Sequence, residues 1–171
     1  MAKPKKPLPK AKTPLFRWSI SEKDVPKTGP YLSAALFAED VEREEATKVI
    51  SIKRIVDIVS LSPEVLKGVI KGGELILPMK MLVTFKTGGF QGDAVVMVCQ
   101  TNPSGEFEAI SRADVKRGDW SADHLQIISP VMLKWDKEGE YYFDLFLDGK
   151  FCSRMSLNVK VGDQCEETIN A

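Results

Sequence analysis

His124 is the single histidine of a 171-residue chain, and it stands beside Asp123 and close to Asp119. A Ser-His-Asp or Cys-His mechanism would have to run through that one imidazole, and any metal site needing two histidines is excluded. The surrounding segment is polar and has no glycine-flanked nucleophile turn. The plain reading of His124 is a surface residue at a strand entrance. The alternative is a small-ligand binder or enzyme that uses His124, Trp120 and nearby acids in the loop region 101–124. Glu39, Asp40, Glu42, Glu44 and Glu45 offer carboxylates to a calcium ion, but they lack the D-x-[DN]-x-[DN]-G spacing and read as a solvated connection. Gly88, Gly89 and Gly92 are not followed by the Lys-Ser pair and helix of a phosphate cradle, and read as a hairpin turn. Arg117-Gly118-Asp119 reads as a polar turn. No cofactor or metal motif is complete.

Cys99, Cys152 and Cys165 are odd in number and widely spaced. They read as free thiols, without the CxxC pairs of a zinc site. The beginning of the chain has a different chemistry. MAKPKKPLPKAKTP carries Lys3, Lys5, Lys6, Lys10 and Lys12 with no acid, leaving 19 basic and 24 acidic side chains over residues 15–171. A tail of lysine and proline cannot build a core and is expected to be disordered. It is a candidate for salt-sensitive contact with nucleic acid or another anionic partner. Pro4-Lys-Lys-Pro7 also has the spacing of a polyproline ligand.

These residues must be positioned by something, and the chain is long enough for one domain with a core of its own. Hydrophobic residues make up 43% and charged residues 28%, with zero formal net charge. There is no apolar signal region and no run long enough to span a membrane as a helix, so a cytoplasmic protein is expected. The organisation reads as a disordered tail over 1–14, a linker or docking edge segment over 15–30, a β domain over 31–161 and a C-terminal tail over 162–171. In the second piece Phe16, Trp18 and Ile20 alternate, as an edge strand or lid requires.

From Tyr31 the pattern is strands between turn signals. SAALFAED leads through EREEATK to VISIKRIVDIVSL, read as one long strand. SPEVLKG is a helical turn or loop. MKMLVTFK sets Met79, Met81, Val83 and Phe85 on one side of a half-buried strand, and DAVVMVCQ is apolar enough for a central one. Residues 106–124 look irregular, with exposed Phe107 or Trp120 available to anchor a protein partner, although Trp120 could equally fill a satellite core. HLQIISPVMLKW alternates again, its Pro130 marking a bulge or an edge.

In EGEYYFDLFLDGKFCSRM, a two-residue Asp148-Gly149 loop would set Leu145 against Cys152 and Phe143 against Arg154. A three-residue loop, Leu147-Asp148-Gly149, sets Leu145 against Phe151, Phe143 against Ser153 and Tyr141 against Met155, and is the one expected. Gly139-x-Tyr141-x-Phe143 resembles the start of strand F in immunoglobulin-like sandwiches, where a tyrosine corner precedes a core position by two residues. Phe143 takes the place of the cysteine found there in antibody domains. An ordinary buried aromatic gives the same letters. ALFAEDV, KVISIKRIVDIV and GEYYFDLFLDGKFCSRMSLNVKV resemble small bacterial immunoglobulin-like β-sandwich proteins of unassigned function. That resemblance implies a fold and supplies no catalytic residues.

The expected fold is therefore all-β, a two-sheet antiparallel immunoglobulin-like sandwich, with a closed barrel as the alternative. The expected function is a non-enzymatic protein-binding or assembly module, with Phe107 and Trp120 as candidate anchors. The other two readings are anionic-partner binding through the tail and a ligand or enzyme site around 101–124.

Overall fold

Strands in which every second residue is apolar each have one dry face, and the simplest way to bury such faces is to lay two sheets together. The computed structural model describes residues 28–162 apart from 48, 68 and 121–123. Its strands are β1 (Tyr31–Arg43), β2 (Ile50–Ile55), β3 (Ile58–Leu61), β4 (Glu74–Lys86), β5 (Ala94–Thr101), β6 (Phe107–Val115), β7 (His124–Lys134), β8 (Gly139–Leu147) and β9 (Lys150–Val161). A short helix, α1 (Pro63–Leu66), is capped by Ser62, and a 3-10 turn covers Arg117–Asp119. One sheet has the order β2-β1-β4-β7 and the other β3-β9-β8-β5-β6. All pairs are antiparallel except β3 with β9.

The fold is an all-β, immunoglobulin-like sandwich, and the sheets do not close into a barrel. Two adjacencies carry the likeness. β4 lies beside β7 as strand B lies beside E, and β5-β8-β9 repeat the C-F-G order. Phe37, Met81, Val83, Phe85, Leu133, Phe143, Leu145 and Leu157 fill the space between the layers. Phe143 meets Phe37 edge-on, with ring centroids 5.0 Å apart.

The tyrosine corner is formed. Tyr141 is fully buried, and its hydroxyl accepts from the backbone N–H groups of Asp136 (3.0 Å) and Lys137 (3.2 Å) while donating to the Lys137 carbonyl (2.7 Å). One phenol thus satisfies three polar groups where the chain crosses from β7 in one sheet to β8 in the other. Asp136 braces the same crossing by accepting from Ser104 N–H at 3.0 Å and pairing with Lys71 at 3.1 Å.

Four expectations are corrected. The closing hairpin has a two-residue loop, with Asp148 (φ 48°) and Gly149 (φ 75°) both left-handed, as a type I′ turn requires. The extra residue is Cys152, one step inside β9. It puts Leu145 against Ser153, Phe143 against Met155 and Tyr141 against Leu157, so the apolar face survives. The long second strand is two strands. Near Arg54 (φ 47°) the chain leaves β1 and crosses to β9, which lets Val59 and Leu61 turn into the core. Residues 107–115 are an edge strand with one bulge at Ile110, which showed no period of two because only Val115 is buried. The Gly88-Gly89 turn joins strands of different sheets and makes no hairpin. Thr87 C=O accepts from Phe90 N–H there, and a side chain at Gly88 would collide with the Tyr31 ring.

Two outcomes are expected. Tyr141→Phe leaves three part-buried backbone groups short of a partner and lowers unfolding free energy by about 1 kcal/mol; a urea titration showing no loss contradicts the corner's role. The Ser104 hydrogen bond and then Lys71 hold the Asp136 carboxyl below its ordinary range, against desolvation. That contribution is present above the unfolded aspartate value near ~3.9 and disappears as pH falls through the folded one. Asp136→Asn should flatten the acid limb of a stability-versus-pH curve; an unchanged slope contradicts this.

Candidate interaction face

Because Tyr141, Phe143, Leu145 and Leu147 point inward, Tyr142, Asp144 and Phe146 must point out of the second sheet. Register then places their neighbours. Phe107, Thr101, Tyr142 and Ser156 form one rank across four strands. Ala109, Cys99, Asp144 and Arg154 form the next, and Arg112, Met97, Phe146 and Phe151 the third. The ranks cross three strand gaps, roughly 14 Å. An outer sheet face usually carries small polar residues; this one carries four aromatics, a methionine and two arginines.

The middle rank holds the face together. Asp144 is 5% exposed and Arg154 53% exposed, and the guanidinium grips the carboxylate through Nε (2.7 Å) and Nη2 (2.9 Å). The same guanidinium lies 4.9 Å from the centroid of the Tyr142 ring, whose hydroxyl donates to Glu140 at 2.8 Å. The Asp144 carboxylate raises the Arg154 pKa further above its already high value. Cys99 lies buried opposite Asp144, and burial first, then that charge, push its thiol up, so it is a poor nucleophile. Beside this fixed centre, Phe146 and Phe151 meet edge to face at 5.9 Å. Phe107 and Phe151 remain 58% and 59% exposed at two corners.

The residues singled out in the sequence do not converge. Phe107 belongs to the aromatic face. Trp120 does not. It is half-buried beside the main core, its indole N–H donates to Gly92 C=O (3.0 Å), and its ring meets Phe90 at 5.2 Å. That arrangement packs the ring against the main core under the loop. His124 is half-buried at the first position of β7, opposite Lys86, whereas Asp123 lies outside the described residues. Asp119 accepts from Lys116 N–H and so closes the Arg-Gly-Asp turn. Glu39 pairs with Lys53 and Arg54, and Asp40 with Lys80. Among the described residues, no group of three or more His, Cys, Asp or Glu side chains is placed to hold a metal ion. Lys3, Lys5, Lys6, Lys10, Lys12 and Cys165 lie outside the described residues. No described helix is long and apolar enough to cross a membrane.

No family model matches the chain. No curated protein matches it either. Among solved structures, it is similar to an immunoglobulin-like protein from Pseudomonas aeruginosa at 12% identity and TM-score 0.36, over 78% of this chain and 98% of the other. It is also similar to a β-glucosidase from Listeria innocua at 10% identity and TM-score 0.42, over 61% of this chain and 15% of that one. A third is the alkylpurine DNA glycosylase AlkC from Pseudomonas fluorescens, at 8% and 0.36, over 61% and 28%. The chain spans under a third of either enzyme, and likenesses this slight carry no functional inference.

Arg154→Met strands a buried carboxylate and should lower the urea midpoint, with Arg154→Lys recovering part because lysine cannot grip both oxygens. Asp144→Asn in the Arg154→Met background should recover most of the loss. Additive effects in this cycle would show that the two groups do not act as a pair.

Proposed function

We propose that the protein is a non-enzymatic protein-binding module, and that the outer face of β6-β5-β8-β9 is its contact surface. The observation that carries this reading is the composition of that face: Phe107, Tyr142, Phe146, Phe151, Met97 and Arg154 on rigid strands. Aromatic residues, methionine and arginine are the types enriched at interface centres. The anchors are also set in advance. Arg154 is clamped by Asp144, and Phe146 and Phe151 hold one another, so a partner would order few side chains on docking.

Glu39, Asp40, Asp93 and Asp136 are all shifted toward the ionised side by hydrogen bonds and cations, and each fastens part of the frame that carries this face. A reducing cytoplasm fits the thiols of Cys99 and Cys152, both of them free.

A photo-reactive phenylalanine analogue at position 107 or 151, in the native host, should yield a discrete cross-linked protein. The same analogue at Val65, exposed elsewhere on the domain, should yield none. Phe107→Ala with Phe151→Ala should abolish cross-linking from position 146 while lowering the melting temperature by only a few degrees, the loss of one cross-strand aromatic pair. Equal cross-linking from all positions contradicts the assignment.

A further inference from the structure

A second feature lies on the side of the sandwich, away from the aromatic face. β6 and β7 are the edges of their sheets and face one another without pairing. One end of this window is shut by Gln100, whose side-chain amide donates to Lys134 C=O (2.7 Å) and accepts from Lys134 N–H (3.0 Å), and by the Lys134–Glu108 ion pair. Trp120 on Gly92 shuts the other end. Between them is a cavity of about 120 Å³ with Phe37, Met81 and Phe143 at its floor and Ile110, Ser129 and Met132 at its lips. Ile110 lines it because the register slips there: Val98 faces Ser111 and Cys99 faces Ala109, leaving Ile110 unpaired. An apolar void of about 150 Å³ holds one benzene-sized ring, so this one suits a single apolar side chain.

We propose that Leu15–Ile20 of the same chain adds to the free edge of β7 as an antiparallel strand, its apolar side turned toward the window with Trp18 over this cavity and Phe16 and Ile20 on either side of it. Three observations select that occupant. The alternation of the segment presents three large apolar residues on one face, which is what an edge strand over a cavity needs. The described chain begins in the right place. Gly29 N–H donates to Gly88 C=O at the end of β4, and β4 ends with Lys86 opposite His124, where β7 starts. Seven residues lie between Ile20 and Thr28, and the eight steps between them reach roughly 26 Å at ~3.3 Å each. The path needed is three strand gaps from β1 across β4 and β7, roughly 14 Å, and about 17 Å along β7 from His124 to Ser129, about 22 Å in a straight line. A chain arriving from that side runs against β7, which gives the antiparallel sense.

Charge is the third. Residues 1–27 hold eight basic and two acidic side chains, a net of +6, leaving sixteen and twenty-two in the remainder, a net of −6. The leader is drawn to its own domain by a field that salt weakens.

The test uses the full chain with labelled methionine methyls. Nuclear Overhauser contacts from the Trp18 indole to the Met81 or Met132 methyls are expected. Amides from Ile127 to Met132 should exchange about tenfold faster in Trp18→Asp, as the loss of a covering strand implies. Ile110→Trp, which fills the cavity, should speed trypsin cleavage after Lys23. Absent contacts with unchanged exchange overturn the proposal. Contacts seen only between differently labelled copies overturn it in favour of a dimer. Absent contacts, with oligonucleotide binding lost on deleting residues 1–14, overturn it in favour of an anionic partner.

Discussion

A pleated strand has two faces, and in β8 one of them is wholly committed to the interior: Tyr141, Phe143, Leu145 and Leu147 are all buried. The commitment fixes everything beside it. β9 has to bring Leu157 and Met155 opposite Tyr141 and Phe143, and the tight Asp148-Gly149 turn alone would put them one residue out of phase. The extra residue at Cys152 restores the phase. The Tyr141 hydroxyl then ties the strand to the chain that crosses over from the other sheet. With the inner face settled, Tyr142, Asp144 and Phe146 have nowhere to point but outward.

The outward face is held by electrostatics as much as by the backbone. A carboxylate with 5% exposure is costly unless each oxygen is matched, and Arg154 matches both while its plane covers Tyr142. The result is a charged pair whose hydrophobic neighbours are fixed in place rather than free to collapse. Rigidity of this kind lowers the ordering entropy of association. It also explains why Cys99, although outward-facing by register, is buried and poorly nucleophilic.

Much of this was legible in the residues. Alternation in 79–85 identified the core face of β4, and Gly139-x-Tyr141-x-Phe143 pointed to the corner. The errors share a physical cause. Alternation marks a strand only where one face is buried, so edge strand β6 read as irregular. A bulge is invisible when the residue it adds is as ordinary as Cys152, so the hairpin loop was assigned one residue too long. A run rich in β-branched residues shows strand preference but not which sheet it serves, so β2 and β3 merged. Trp120 could be an anchor or a plug by composition alone, and Phe90 and the Gly92 carbonyl, distant in sequence, decided it. Apart from Phe107, the aromatic outer face was not legible because its members come from four strands. Its one local signal was aromatic residues at both the inward and the outward positions of β8.

The most direct measurement is saturation mutagenesis of every exposed position in the native host, read once for protein abundance and once for fitness. Substitutions that keep abundance but lose fitness should gather at Phe107, Tyr142, Phe146, Phe151 and Arg154. If they gather instead around His124 and Asp119, or scatter without relation to the sheet, the second sheet's outer face is not where this protein acts.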